Sequence, residues 1–174
     1  MPASDANRLT ETSVELITDH IVANIATSLS DMRSLRTDNI VTTEPPKSYF
    51  IHIEDKGYRL PAVFVLSSGM DFRLDTGPNY INGIENMMVA VIVEARNRRL
   101  LTFRGWRYQA ALVKILDQTH LDATDGSVRI ICKVTKTSFS EITEAGDTTS
   151  SPENQKMYRQ ETIVEMEVEH YEQF

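Results

Sequence analysis

The sequence predicts an α/β (α+β) domain in which a mixed or antiparallel β-sheet packs against a long N-terminal helix and a second, central helix. Three observations carry this prediction. Residues 9–36 place Val14, Ile17, Ile21, Ile25, Leu29, Met32 and Leu35 three or four apart, the spacing of an apolar stripe on one helix face. Met87 to Ala95 is apolar at nearly every position, as in a strand covered on both faces, which requires helices on at least one side. Residues 158–171 alternate strictly. Tyr158, Thr162, Val164, Met166 and Val168 fall on even positions, with Arg159, Glu161, Ile163, Glu165, Glu167 and Glu169 on odd ones.

The elements follow in order. In the first helix Ser13, Glu15, Asp19, Asn24, Ser30 and Asp31 fall mostly off the stripe, and its several Ser, Thr and Asn make it a modest helix former that needs a partner surface. It ends near Arg36, and Pro45-Pro46 enforces an extended linker. Tyr49 to Ile53 reads as a strand with Tyr49, Ile51 and Ile53 on one face, followed by an Asp55-Lys56-Gly57 turn. Leu60 to Leu66 is a second strand, with Pro61 at its tolerated start. Residues 67–86, rich in Ser, Gly, Asp, Asn and Pro, read as a long connection before the Met87–Ala95 strand. Thr102 caps a helix over 103–118 that buries Tyr108, Ala111, Leu112, Ile115 and Leu116. Val128 to Phe139 is a strand with Val128, Ile130, Cys132 and Val134 inward. Residues 140–157 are polar and read as a mobile loop or arm, and the alternating strand closes the chain.

At 174 residues the chain fits one domain, residues 1–174, of a size that folds without disulfides or structural metal. One cysteine excludes an intramolecular disulfide and disfavours a Cys-based zinc site. No apolar run approaches the roughly 18 residues of a membrane span, and the N-terminus lacks signal-peptide features, so a soluble protein made inside the cell is expected. The net charge of −7 is unevenly placed. Residues 141–174 hold nine acids and two bases, which accounts for all of it, whereas residues 1–140 balance. Within that neutral part lies a basic island, Arg96, Arg98, Arg99, Arg104 and Arg107, with no acid between them. Separate basic and acidic regions suit a subunit whose basic patch meets a neighbour's acidic one.

Catalytic motifs are absent. There is no Gly-rich phosphate loop, nucleophile elbow, H-E-x-x-H or calcium loop, and His20, His52, His120 and His170 share no ligand-like spacing. No catalytic, cofactor-binding or metal-binding residue is therefore assigned, and no enzyme activity is expected. The alternative reading is a metal-dependent carboxylate nuclease or other nucleic-acid-processing enzyme. It would use Glu54, Asp55, Asp71, Asp75 and Glu94 with Lys56 or Arg96, but the chain lacks the basic surplus that holds a polyanion. Trp106 and Tyr108 beside Arg104 and Arg107 fit helix packing more simply than base stacking. The row Glu161, Glu165, Glu167 and Glu169 reads either as a solvent-facing edge or outer strand that resists aggregation, or as an assembly surface or pore lining that lets DNA pass without sticking.

The order of elements resembles the tail terminator, or tail completion, proteins of tailed bacteriophages. The resemblance is carried by the long amphipathic helix, Pro61 to Val65, the buried Met87–Ala95 strand, the Tyr108–Leu116 run, and two closing strands around a polar loop. Tyr158-Arg159-Gln160-Glu161 leading into the alternating strand is similar too. It spans residues 9–172 and rests on element order and texture. It implies a structural virion protein of the tail–neck region, assembled in the host cytoplasm, that forms a hexameric ring. Such a ring caps the tail tube, ends its polymerisation and joins the tail to the head–neck connector. The implied partners are further copies of the chain, the tail tube protein, a head–tail connector or neck protein and a sheath protein, with DNA only as transiting cargo and no membrane.

Overall fold

The computed structural model of the chain describes residues 3–34, 43–51, 59–73, 80–145 and 157–173. Two helices lie on one face of a mixed seven-stranded sheet. The elements are α1 (Ala3–Ser34), β1 (Ser48–Phe50), β2 (Ala62–Arg73), β3 (Tyr80–Ala95), α2 (Arg98–Leu116), β4 (Thr119–Asp122), β5 (Val128–Phe139), β6 (Thr143–Ala145) and β7 (Met157–Gln173). The strand order is β1-β2-β3-β7-β5-β4, with β6 pairing β7 beyond β5; only the β1–β2 pair is parallel.

The long helix forms because its stripe has a surface to cover. Val14, Ile17, Ile21, Ile25 and Leu29 are buried in the main core. α1 begins six residues earlier than its apolar spacing predicts. Ser13, expected off the stripe, is fully buried. His20 is half-buried, and its Nε2 donates to the Ile115 carbonyl at 2.9 Å, tying α1 to the end of α2.

The core-facing residues of the sheet share one phase. Val63 and Val65 on β2 pair with Val91 and Val89 on β3, which share their phase with Met87 and Val93. These meet Val164, Met166 and Val168 on β7, and Val128, Ile130 and Cys132 on β5. Ala62, Phe64, Ala90 and Ile92 form a smaller apolar cluster on the opposite face, where Phe50 stacks on Phe64 with centroids 5.3 Å apart. This is why Met87–Ala95 carries no polar alternation.

Several boundaries differ from the sequence reading. The strand expected over 49–53 is β1, which stops at Phe50 and leaves Ile51 57% exposed; residues 52–58, with the expected turn, lie outside the described residues. The connection expected over 67–86 is largely the far ends of β2 and β3, paired through Arg73↔Asn82. Its polar texture at Ser67–Gly69 marks a β-bulge, where Gly69 adopts φ 130°, a conformation L side chains rarely adopt. The second helix is capped by Asn97, whose Oδ1 accepts from the Leu100 N–H at 2.7 Å, so it starts five residues before the expected position. Thr102 instead donates to the Arg98 carbonyl one turn back. In the loop expected over 140–157, residues 143–145 form β6, and 146–156 lie outside the described residues.

Cys132 is buried at an inward position of β5, as its phase predicts, and burial pushes its thiol up to about 12. Thiolate is the reactive form. Iodoacetamide at mildly alkaline pH should therefore leave Cys132 unmodified in the folded protein and alkylate it fully in urea, as read by intact mass.

Candidate functional site

β7 is an interior strand between β3 and β5, not the edge or outer strand considered from its alternation. Its odd positions point away from the helices. Glu165, Glu167 and Glu169 thus form a half-buried row on the open sheet face, about 7 Å between successive members. Such a row repels itself unless cations stand beside it. Lys136 lies opposite Glu165 and pairs with it at 3.0 Å, and Lys133 is the register partner of Glu167. Glu169 stands between Ile84 and Ile131 and accepts from the Tyr171 hydroxyl at 2.8 Å. Glu161, opposite Ile92, lies further along the same face.

The arginine island does not fold into one patch. Arg96, Arg98 and Arg99 are exposed, between the end of β3 and the first turn of α2. Arg98 lies over the Tyr158 ring at 5.1 Å and Arg99 over Phe103 at 5.6 Å. No acidic residue stands in that first turn. Three cations thus gather where the helix dipole already places partial positive charge, an arrangement an anionic partner relieves. Arg104 turns inward and donates from Nη1 to the Glu94 carbonyl at 2.8 Å, and Arg107 is half-buried. Tyr108 is fully buried, as helix packing predicts, but Trp106 is not: it is 51% exposed, edge-on to Phe103 at 5.5 Å.

The nuclease carboxylates are not brought together. Asp71 pairs in register with Ile84, ten residues along β3 from Glu94, a separation of about 33 Å. Glu94 is taken by Arg159, whose Nε and Nη2 approach one oxygen at 2.9 and 2.5 Å. Glu54, Asp55, Lys56 and Asp75 lie outside the described residues. Among the described residues, no group of three His, Cys, Asp or Glu is placed to hold a metal ion, and no helix is long and apolar enough to cross a membrane.

One cluster escaped the sequence reading. Glu85 and His170 are buried side by side on the core face of β3 and β7, with Nε2 donating to the carboxylate at 2.8 Å. Ser13 of α1 donates to the same oxygen at 2.7 Å, and Ser67 of β2 donates to the other. Burial pushes the Glu85 carboxyl up, but the hydrogen bonds from His170, Ser67 and Ser13 outweigh it and hold the group below its usual range. The available signal was phase: Glu85 is in step with Met87 and Val89, and His170 with Met166 and Val168. With Ser13, Glu85 and His170 buried and Ser67 partly so, the cluster clamps α1, β2, β3 and β7 together.

No protein-family model matches the chain, and no curated protein matches it. Among solved structures it is similar to a chain described as "Virion of native gene transfer agent (GTA) particle". The likeness has a TM-score of 0.34 at 13% sequence identity and covers 86% of this chain and 97% of that one.

Proposed function

We propose that the chain is a non-catalytic structural subunit of a tailed-phage virion, of the tail-terminator kind. Copies associate head to tail into a ring, with six as the expected number. The ring caps the tail tube, ends its polymerisation and joins the tail to the neck, while DNA passes through its centre. Its partners are further copies of itself, the tail tube protein, a connector or neck protein and a sheath protein. Its place is the tail–neck region of a virion assembled in the host cytoplasm.

One observation carries the assembly reading. The exposed Arg98 and Arg99 stand in the first turn of α2, with Arg96 in the turn just before it, and Glu165, Glu167 and Glu169 lie on the face of the sheet opposite the helices. A head-to-tail contact joins two different surfaces of the same subunit, and repetition closes a ring when the rotation per step allows it. Complementary patches on two different surfaces meet that requirement. The order on which the resemblance rests, a long helix, a buried strand, a second helix and an alternating strand, is the order of these elements along the chain.

Native mass spectrometry of the purified protein, alone and mixed with purified tail tubes, tests the reading. The expected result is a discrete closed oligomer, alone or on the tube. A monomer at every concentration that also fails to join tubes contradicts it.

A further inference from the structure

The geometry points to Trp106 as the apolar anchor of the ring contact: a second copy receives it in an aliphatic seam of Leu66, Met88 and Ile163, beside the glutamate row. This rests on the ring reading above and names what fills the contact next to its charges.

The knob is built on one ridge of α2. Arg99, Phe103 and Trp106 follow one another at spacings of four and three, so they line one side of the helix over about 10.5 Å. Among the described residues no aromatic ring is more exposed than Trp106. Its neighbours stiffen it. Phe103 stands edge-on to it at 5.5 Å, Arg99 lies over Phe103 at 5.6 Å, and the Phe139 ring lies against Gly105, the residue before it. A pre-ordered tryptophan beside an arginine has the composition of an interface centre, where it buries a large area with little ordering left to do.

The receiving surface is on the face of the sheet away from α2. There Leu66 of β2, Met88 of β3 and Glu165 of β7 lie side by side, and Ile163 stands two residues along β7 from Glu165. Leu66, Met88 and Ile163 are each half-buried, so the seam they form is apolar and open to a partner. Leu66 and Ile163 pack on the Phe64–Ala90 cluster, which gives the seam a firm border. Met88 suits an indole, because a thioether adapts its shape and favours aromatic contact.

Two matches select a second copy as the occupant. The first is charge: the ridge starts at Arg99, and Glu167 follows Glu165 along the same face of β7. The second is spacing. Strand separation and rise put Glu167 about 8 Å from Met88 and about 12 Å from Leu66, which brackets the distance from Arg99 to Trp106. Arg99 therefore reaches Glu167 while the indole covers Met88. Because α2 and the seam lie on opposite faces of the sheet, no subunit fills its own seam, and the contact is head to tail.

Trp106 is the one tryptophan in the chain, so intrinsic fluorescence reads it alone. In the full-length protein its emission should move to the blue, and its quenching by acrylamide should fall, in step with association measured by sedimentation velocity. Trp106→Ala and Met88→Glu should each lower association, alone or on purified tail tubes, by about tenfold or more. Mixed in equal amounts, these two variants should pair and show the blue shift, because one keeps the seam and the other keeps the indole. Urea midpoints check folding, and Met88→Gln, close to methionine in size, replaces Met88→Glu if the charge unfolds the sheet. Association with unmoved emission and no response to Trp106→Ala overturns the anchor and leaves the arginine–glutamate ring standing. Loss of association or of tube joining with Trp106→Ala, but with neither Met88 variant, assigns the indole to another surface and overturns the seam. A monomer that joins no tube overturns the ring reading and the anchor together.

Discussion

His170→Ala should destabilise the fold by about 3–5 kcal/mol near neutral pH, because it strips the partner from a buried carboxylate instead of removing the pair. Glu85 is fully buried, and the remaining donors are the hydroxyls of Ser13 and Ser67. The pH dependence identifies the cause. In the intact cluster the folded pKa of Glu85 lies below its ordinary 4.5. Its contribution to stability is therefore present above 4.5 and is lost as pH falls through the folded value. In the variant, burial without His170 favours the protonated acid, so the deficit should already shrink as the pH falls toward 4.5 and go on shrinking below it. Urea unfolding of both proteins across that range reads the effect. A deficit that stays constant with pH assigns the loss to packing alone. Replacing both members by leucine should recover most of the loss, since an apolar pair carries no unpaired charge. The Ser13 hydroxyl proton, released from Glu85, would then serve the Thr10 carbonyl 2.9 Å away.

Ile21→Ala should cost about 2–5 kcal/mol, the range for removing a fully buried aliphatic side chain and leaving a cavity. Ile21 is fully buried at the centre of the α1 stripe, with Ile17 and Ile25 buried on either side. Val22 is next in sequence but faces outward at 48% exposure, so Val22→Ala should fall within about 0.5 kcal/mol of the parent protein. Urea midpoints with unchanged slopes check both. Equal losses at the two positions would mean that α1 is not held on the sheet by this stripe.

That contrast shows what the sequence makes legible. Helix and strand periods are written in side-chain chemistry wherever one face is buried and the other wet. This exposed the α1 stripe and the phase of β7 and β5, and with them the α/β class. The far halves of β2 and β3 have the texture of a connection, because residues 67–86 are rich in Ser, Gly, Asp, Asn and Pro. Pairing with β7 and the bulge overrode that local texture. Thr102 has the chemistry of a helix cap and lies just before the buried run, whereas Asn97, the residue that caps the helix, stands among arginines that carry no apolar period.

The charged positions were visible as composition only. Nothing local tells that β7 is central, that Lys136 meets Glu165, or that Arg104 leaves the island to turn inward. These are consequences of strand order, and the partners are distant in the chain. The Glu85–His170 pair is the intermediate case: each residue is in core phase with its own strand, but their contact spans 85 positions.

The proposed ring requires the arginine end of one subunit to meet the glutamate row of the next. Sedimentation velocity on a charge-swap cycle measures this most directly, with Glu167 and Glu169 chosen because Glu165 is already paired with Lys136. Arg98→Glu with Arg99→Glu should lower the association constant by about tenfold or more, and adding Glu167→Lys with Glu169→Lys should restore much of it. Losses that simply add, with no recovery in the combined variant, would contradict the contact.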